Sequence, residues 1–203
     1  MKRTTLVVAA VVTALATTLT GCADSGPGPD NGPNLSAPVV TGGPVTAIAP
    51  LPAANPTEIR IDAINASSSL VALGLNKDRT IAIPPVSQPG QASWYKFGPA
   101  PGAVGPAVIL GHINGNGKQG VFARLNQLKP GDQVKVTRAD NKTAVFTVTK
   151  LQQVPKAQFP TQQIYGDTPD AQLRLISCTG VFDKGKRSYQ DNIVVFATLT
   201  SVA

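Results

Sequence analysis

From Glu58 to the C-terminus the apolar residues fall into short runs that alternate with polar ones and are cut by Gly, Pro, Asn and Asp. This pattern limits the fold more than any other feature. Ile59 and Ile61 alternate with polar neighbours, residues 80–83 repeat the pattern on a small scale, and 107–110 is a near-continuous apolar run. Residues 133–137 and 144–149 alternate around a turn at Asp140-Asn141, and 172–177 and 193–199 complete the set. Strands this short, punctuated this often, predict an all-β barrel or sandwich rather than βαβ units. Residues 121–128 fit one or two helical turns, with Phe122, Leu125 and Leu128 on one side.

The first 57 residues carry a different signature. Lys2 and Arg3 precede an apolar run from Leu6 to Leu19. Fourteen helical residues rise ~21 Å, short of a hydrocarbon layer of ~30 Å, so the run fits a signal peptide (residues 1–21) better than a permanent span. It ends in Leu19-Thr20-Gly21-Cys22, which resembles a bacterial lipobox. In that motif small residues admit the signal peptidase and the cysteine thiol takes the lipid, which makes Cys22 the expected lipidation site. Residues 22–57 are rich in Pro and Gly, nearly uncharged and free of aromatics. Such a segment buries too little apolar surface to offset its ordering entropy and reads as a linker. The folded domain is then expected over 58–203, an ordinary single-domain size.

Charge excludes some functions. Without Lys2 and Arg3 the chain has 16 basic against 11 acidic residues, a formal +5. The basic residues are scattered, with Lys184, Lys186 and Arg187 the one tight cluster. There is no aromatic-and-basic stripe of the kind that binds single-stranded nucleic acid, so no nucleic-acid partner is expected. The modest positive charge favours approach to an anionic envelope.

The chain has two cysteines and one histidine. If Cys22 carries lipid, Cys178 has no intrachain partner and a structural disulfide is not expected. Cys178 ends an apolar strand and meets Thr179-Gly180, where the chain leaves the sheet. His112 likewise ends Val108-Ile109-Leu110-Gly111 and enters the turn Asn114-Gly115-Asn116-Gly117. Taken singly, Cys178 reads equally well as a small buried hydrophobe and His112 as a loop histidine. Together they make a plausible cysteine-protease-like pair, because a thiol with a pKa near ~8.5 needs a neighbouring base or cation to act at neutral pH.

The folded part resembles a sortase domain, most nearly the class F sortases of Gram-positive bacteria. The resemblance rests on Gly111-His112, Phe122-Ala123-Arg124-Leu125, Leu128-Lys129-Pro130-Gly131-Asp132 and Leu175-Ile176-Ser177-Cys178-Thr179-Gly180. Lys186-Arg187-Ser188-Tyr189-Gln190-Asp191-Asn192, followed by an apolar strand, extends it. It implies a closed eight-stranded β-barrel, cleavage of an LPxTG-like sorting signal through a thioacyl-enzyme, and transfer of the acyl group to an amine of the cell wall. By position Cys178 is the implied nucleophile and His112 the acid and base. Arg187, nine residues after the cysteine, is implied as the oxyanion donor. Arg174 is excluded from that role, since four residues of extended strand hold it ~13 Å from Cys178. Ser177 stands where sortases usually have Thr, and is expected to contact substrate. Asp191-Asn192 matches the family but is given no catalytic role. Neither a metal nor another cofactor is implied, and the enzyme is expected as a monomeric lipoprotein on the outer face of the cell membrane, acting on secreted proteins that bear sorting signals.

Two other readings compete. A cell-wall L,D-transpeptidase also uses Cys and His, but expects the histidine close before the cysteine; here 66 positions separate them. A lipid-anchored, non-catalytic β-barrel that binds envelope peptides is left open by Ser177 and the lipobox, and thiol reactivity discriminates it from an enzyme.

Overall fold

In the computed structural model the described residues are 38–203. The signal segment and Cys22 lie outside them. Eleven strands and one short helix follow in order: β1 (Val39–Thr41), β2 (Pro56–Ile61), β3 (Ala66–Leu73), β4 (Ala92–Tyr95), β5 (Gly105–Gly111), β6 (Asn114–Gly115), β7 (Lys118–Gln119), β8 (Gln133–Arg138), β9 (Thr143–Pro155), α1 (Thr161–Tyr165), β10 (Ala171–Asp183) and β11 (Ser188–Val202). Pairing runs β9-β11-β10-β5-β4-β3-β2-β8 and returns from β8 to β9, which closes an eight-stranded barrel. Closure leaves no free edge along the ring. β9 is long enough to serve twice: its first residues pair with β8, and Lys150, Leu151 and Gln152 pair with β1 outside the ring.

Alternation sorts each strand into two faces. Ile59, Ile61, Leu173, Leu175 and Val195 point inward and are essentially inaccessible. Phe122, Leu125 and Leu128 join that core from the turn and short 3-10 helix after β7, on the side the sequence predicts. The run 107–110 is continuous because β5 is buried on both faces, as strands of a covered parallel pair are. Its outward residues Val108 and Leu110 meet Ile176, Val194 and Phe196 in a second cluster, capped by Ile164 of α1. A five-residue helix has no stability alone, so α1 is held by burying Ile164, worth about 1.5–3 kcal/mol.

Two expectations need correction. Residues 80–83 form no strand; a single bridge links Leu75 and Ile81, and the chain from Gly74 to Gln91 is irregular. The strands there are β3 and β4, and β3 was hidden because Ser67, Ser68 and Ser69 break its apolar alternation. The segment expected as free linker up to residue 57 lies on the barrel from Val39 onward. The amide of Ile48 donates to Leu199 O (3.1 Å) and that of Leu51 to Gly102 O (2.7 Å), with both side chains half-buried against the core. Arg138 fastens it: its fully buried guanidinium donates to Pro52 O (2.6 Å) and Pro101 O (2.5 Å) and pairs with Asp140 (2.8 Å).

Candidate active site

The parallel pair β5/β10 sets the site. Leu110 is opposite Ile176, and both face outward. The pairing stops there; His112 lies just past the end of β5, Cys178 lies two residues further along β10, and both line the same groove. Antiparallel β11 adds Asn192, directly opposite Cys178. His112, Cys178 and Asn192 therefore come together as lining residues of one groove.

His112 is positioned from its own backbone outward. Its carbonyl accepts from the amide of Phe122 (3.0 Å). Gly111 is required before it, since a Cβ there would come within 2.7 Å of the Phe122 ring. On the imidazole, Nε2 lies 2.6 Å from Pro84 O. A carbonyl can only accept, so Nε2 carries the proton and Nδ1 is the nitrogen left free. The ring makes no hydrogen bond to the Cys178 sulfur.

The groove has a volume of about 330 Å³. Leu110 and Ile176 form its apolar floor, Phe159 and Tyr165 one wall, and Thr80, Ile81 and Ile83 the other. The irregular segment between β3 and β4 thus supplies both a wall and the Pro84 carbonyl. Burial pushes the Tyr165 phenol up to about 12, with Tyr95 adding to the shift, so the wall is neutral at physiological pH. Cys178, the free cysteine among the described residues, is half-buried at the mouth.

A cation also reaches the sulfur. β9 ends at Pro155, opposite Asp191, and Lys156 begins a 3-10 turn there. Its Nζ donates to Cys178 Sγ (3.5 Å) and to Ser188 Oγ (2.9 Å). The register shift between Thr179 and Phe182 bends the β10–β11 hairpin, and a bulged strand that bends can carry Ser188 back toward the cysteine.

Arg187 is not brought into the groove. It sits exposed in the turn between β10 and β11 with left-handed backbone (φ 49°), and the lining residues do not include it. The hairpin delivers Ser188 instead. Ser177 also lines the groove; it is buried, and its hydroxyl donates to Gly111 O (2.9 Å), which ties β10 to the end of β5. Arg174 is buried on the same outer face, two rows from Cys178; it donates to Gln172 (2.7 Å) and stacks on Phe196 at 4.5 Å. Burial lowers its guanidinium to about 10. Among the described residues no group of three or more His, Cys, Asp or Glu comes together as a metal site. Sequence reasoning missed Lys156 and Asn192 as neighbours of the thiol. Asn192 was readable in principle, since a tight hairpin after Cys178 puts a β11 residue opposite it.

Comparison with known proteins agrees with this architecture. A model of the sortase domain matches residues 59–200. Among solved structures, the chain is similar to a Clostridium perfringens sortase D5 transpeptidase, with 19% identity over 71% of this chain and 78% of that one and a TM-score of 0.52. Sortase A of Listeria monocytogenes has 17% identity over 74% and 90% of the two chains and a TM-score of 0.54. Sortase A of Corynebacterium diphtheriae has 18% identity over 74% and 61%, with a TM-score of 0.56. No match was found among curated proteins. The barrel, the adjacent strand ends that carry His112 and Cys178, and the domain match over most of the chain lead to one statement: the chain belongs to the sortase family of cysteine transpeptidases.

Proposed function

We propose that this protein cleaves an LPxTG-like sorting signal through a thioacyl-enzyme on Cys178 and passes the acyl group to an amine at the cell envelope. The observation that supports the reading is that His112, just past the end of β5, and Cys178, on the neighbouring β10, line one open groove. The apolar floor of Leu110 and Ile176 suits an extended peptide with an aliphatic residue before the scissile bond. The Cys178 sulfur attacks the Thr–Gly carbonyl, and collapse of the tetrahedral adduct expels the glycine amine, which takes a proton from His112. The incoming amine then gives a proton to His112 as it attacks the thioester, and Cys178 leaves as a thiolate, which restores the starting thiolate and protonated imidazole.

Within the family the reading is nearest class F, on the segments around His112 and Cys178. Lipidation at Cys22 would hold the enzyme on the outer face of the membrane, where secreted substrates and wall amines meet. The test is mass spectrometry of residues 36–203 incubated with LPxTG-like and LAxTG-like peptides. An adduct on Cys178 that disappears when an amine is added is the expected result, and Cys178→Ala and His112→Ala abolish it. A folded protein that forms no adduct with any peptide and resists alkylation at Cys178 is a binding module instead.

A further inference from the structure

We propose that the backbone carbonyl of Pro84 is the positioning group of the Cys178–His112 pair, holding the imidazole by Nε2 so that Nδ1 alone exchanges protons with the peptide. The inference deepens the reading above and rests on it for the peptide, though not for the state of the imidazole.

A histidine that serves a cysteine nucleophile is generally oriented by a third group. Among the described residues, the one hydrogen bond of the His112 ring runs from Nε2 to Pro84 O (2.6 Å). Proline fixes the direction of that carbonyl. The Pro84 ring sets its own φ, and Pro85 after it confines Pro84 to extended backbone. Pro84 is buried and Pro85 exposed. The segment is also tied on both sides. Before it, the Ala82 amide donates to Gly74 O (2.9 Å), and Ile81 bridges to Leu75. After it, the Val121 amide donates to Pro89 O (2.8 Å), while the next amide, that of Phe122, donates to His112 O (3.0 Å). Consecutive amides of one turn thus clamp both the segment that carries the carbonyl and the backbone that carries the imidazole.

The chemistry follows from the donor count. In the neutral ring Nε2–H donates to Pro84 O and Nδ1 holds the lone pair; in the protonated ring both nitrogens donate, and Pro84 O still accepts from Nε2. The hydrogen bond therefore persists through both halves of the reaction. Nδ1–H gives its proton to the leaving glycine amine, and Nδ1 then takes one from the entering amine, with no turn of the ring between the steps. Pro84 acts only through His112 and is a positioning residue. Ile83, one residue earlier, lines the groove, so a test must separate orientation from wall contact.

The chain has a single histidine, so its imidazole signals have one source. Isotope-labelled residues 36–203, which form one compact unit, are prepared as wild type, Pro84→Ala, Pro85→Ala and the double variant Pro84→Gly/Pro85→Gly, each checked for fold by circular dichroism. A long-range proton–nitrogen spectrum at pH ~9, where an ordinary imidazole is neutral, reports which nitrogen holds the proton. Wild type and Pro84→Ala, which keeps a carbonyl before proline, are expected to show Nε2–H alone, and the double variant an average of both tautomers. Single-turnover acylation of the double variant at saturating LPxTG-like peptide is expected to fall about tenfold, with the half-saturating concentration within about twofold of wild type. Pro84→Ala keeps the acylation rate within about threefold, and Pro85→Ala falls between it and the double variant. A wild type that holds its proton on Nδ1 or averages both sites overturns the inference, as does a double variant that keeps either the Nε2–H pattern or the full acylation rate. A loss confined to the half-saturating concentration also overturns it, and assigns the segment to the groove wall. A wild type that is never acylated, yet holds Nε2–H where the double variant does not, sustains the positioning role while the proposed function fails.

Discussion

Ser177 shows how one buried hydroxyl can matter to a neighbouring strand. Its Oγ donates to the carbonyl of Gly111, the residue that precedes His112, so the thiol strand and the imidazole strand are tied one residue short of the reacting groups. Cys178 and Ser177 both line the groove, Cys178 half-buried and Ser177 buried. Ser177→Ala leaves the Gly111 carbonyl without its partner in a nearly closed site, a loss of about 1–3 kcal/mol. Chemical denaturation should register that cost, and the acylation rate should fall as well because His112 loses its anchor. Ser177→Thr keeps the hydroxyl and should keep both within about threefold; equal damage from Ala and Thr would show that volume, not the hydrogen bond, decides the position.

At the scale of elements, the candidate active site forms where β5 ends beside β10, and Gly111 is one of its close-packed points. The Phe122 ring packs where a Cβ would stand, and the Phe122 amide binds the His112 carbonyl. Gly111→Ala therefore overpacks the barrel end, costing about 1–3 kcal/mol, and pushes the imidazole out of line. A melting curve and an acylation assay on the same variant should fall together; a drop in stability with full activity would separate packing from placement. The same elements explain what the sequence could convey. His112 and Cys178 were legible because each ends an apolar run at a glycine, a local signal. The barrel strands β2, β5, β8, β9, β10 and β11 were legible from their alternation or their apolar runs. β3 was not, because its exposed face is serine, and the bond between Ser68 Oγ and the Ala92 amide that helps hold β4 to it is visible only in three dimensions. Lys156 was illegible because its position depends on where β9 stops relative to β10 and β11, which no local pattern records. Arg187 is exposed in the turn that follows a register shift between Thr179 and Phe182, and motif spacing gives no account of such a shift.

For the molecule as a whole, the domain extends back beyond the strand at which its sequence motifs begin. β1, Ile48 and Leu51 wrap the barrel, and Arg138 joins three otherwise separate parts: the wrap at Pro52, the loop at Pro101 and the β8–β9 turn at Asp140. A chain that starts at residue 58 loses two half-buried aliphatic side chains and one carbonyl partner of a buried guanidinium. The expected cost relative to a chain starting at residue 36 is about 2–4 kcal/mol. For a domain of this size that lowers Tm by roughly 5–15 °C, which calorimetry of the two chains would measure, and equal melting points would mean that the wrap contributes nothing. Acid adds an independent check on the same staple. The hydrogen bond from Arg138 holds the Asp140 carboxyl below its ordinary value, so the folded state binds that proton less readily than the unfolded chain. The contribution is complete above the unfolded value of about 4 and is lost as pH falls through the lower folded value. The stability gap between wild type and Arg138→Met should therefore be widest near neutrality and narrow below pH ~4. A gap that stayed constant into acid would assign the role of Arg138 to its two carbonyl partners alone.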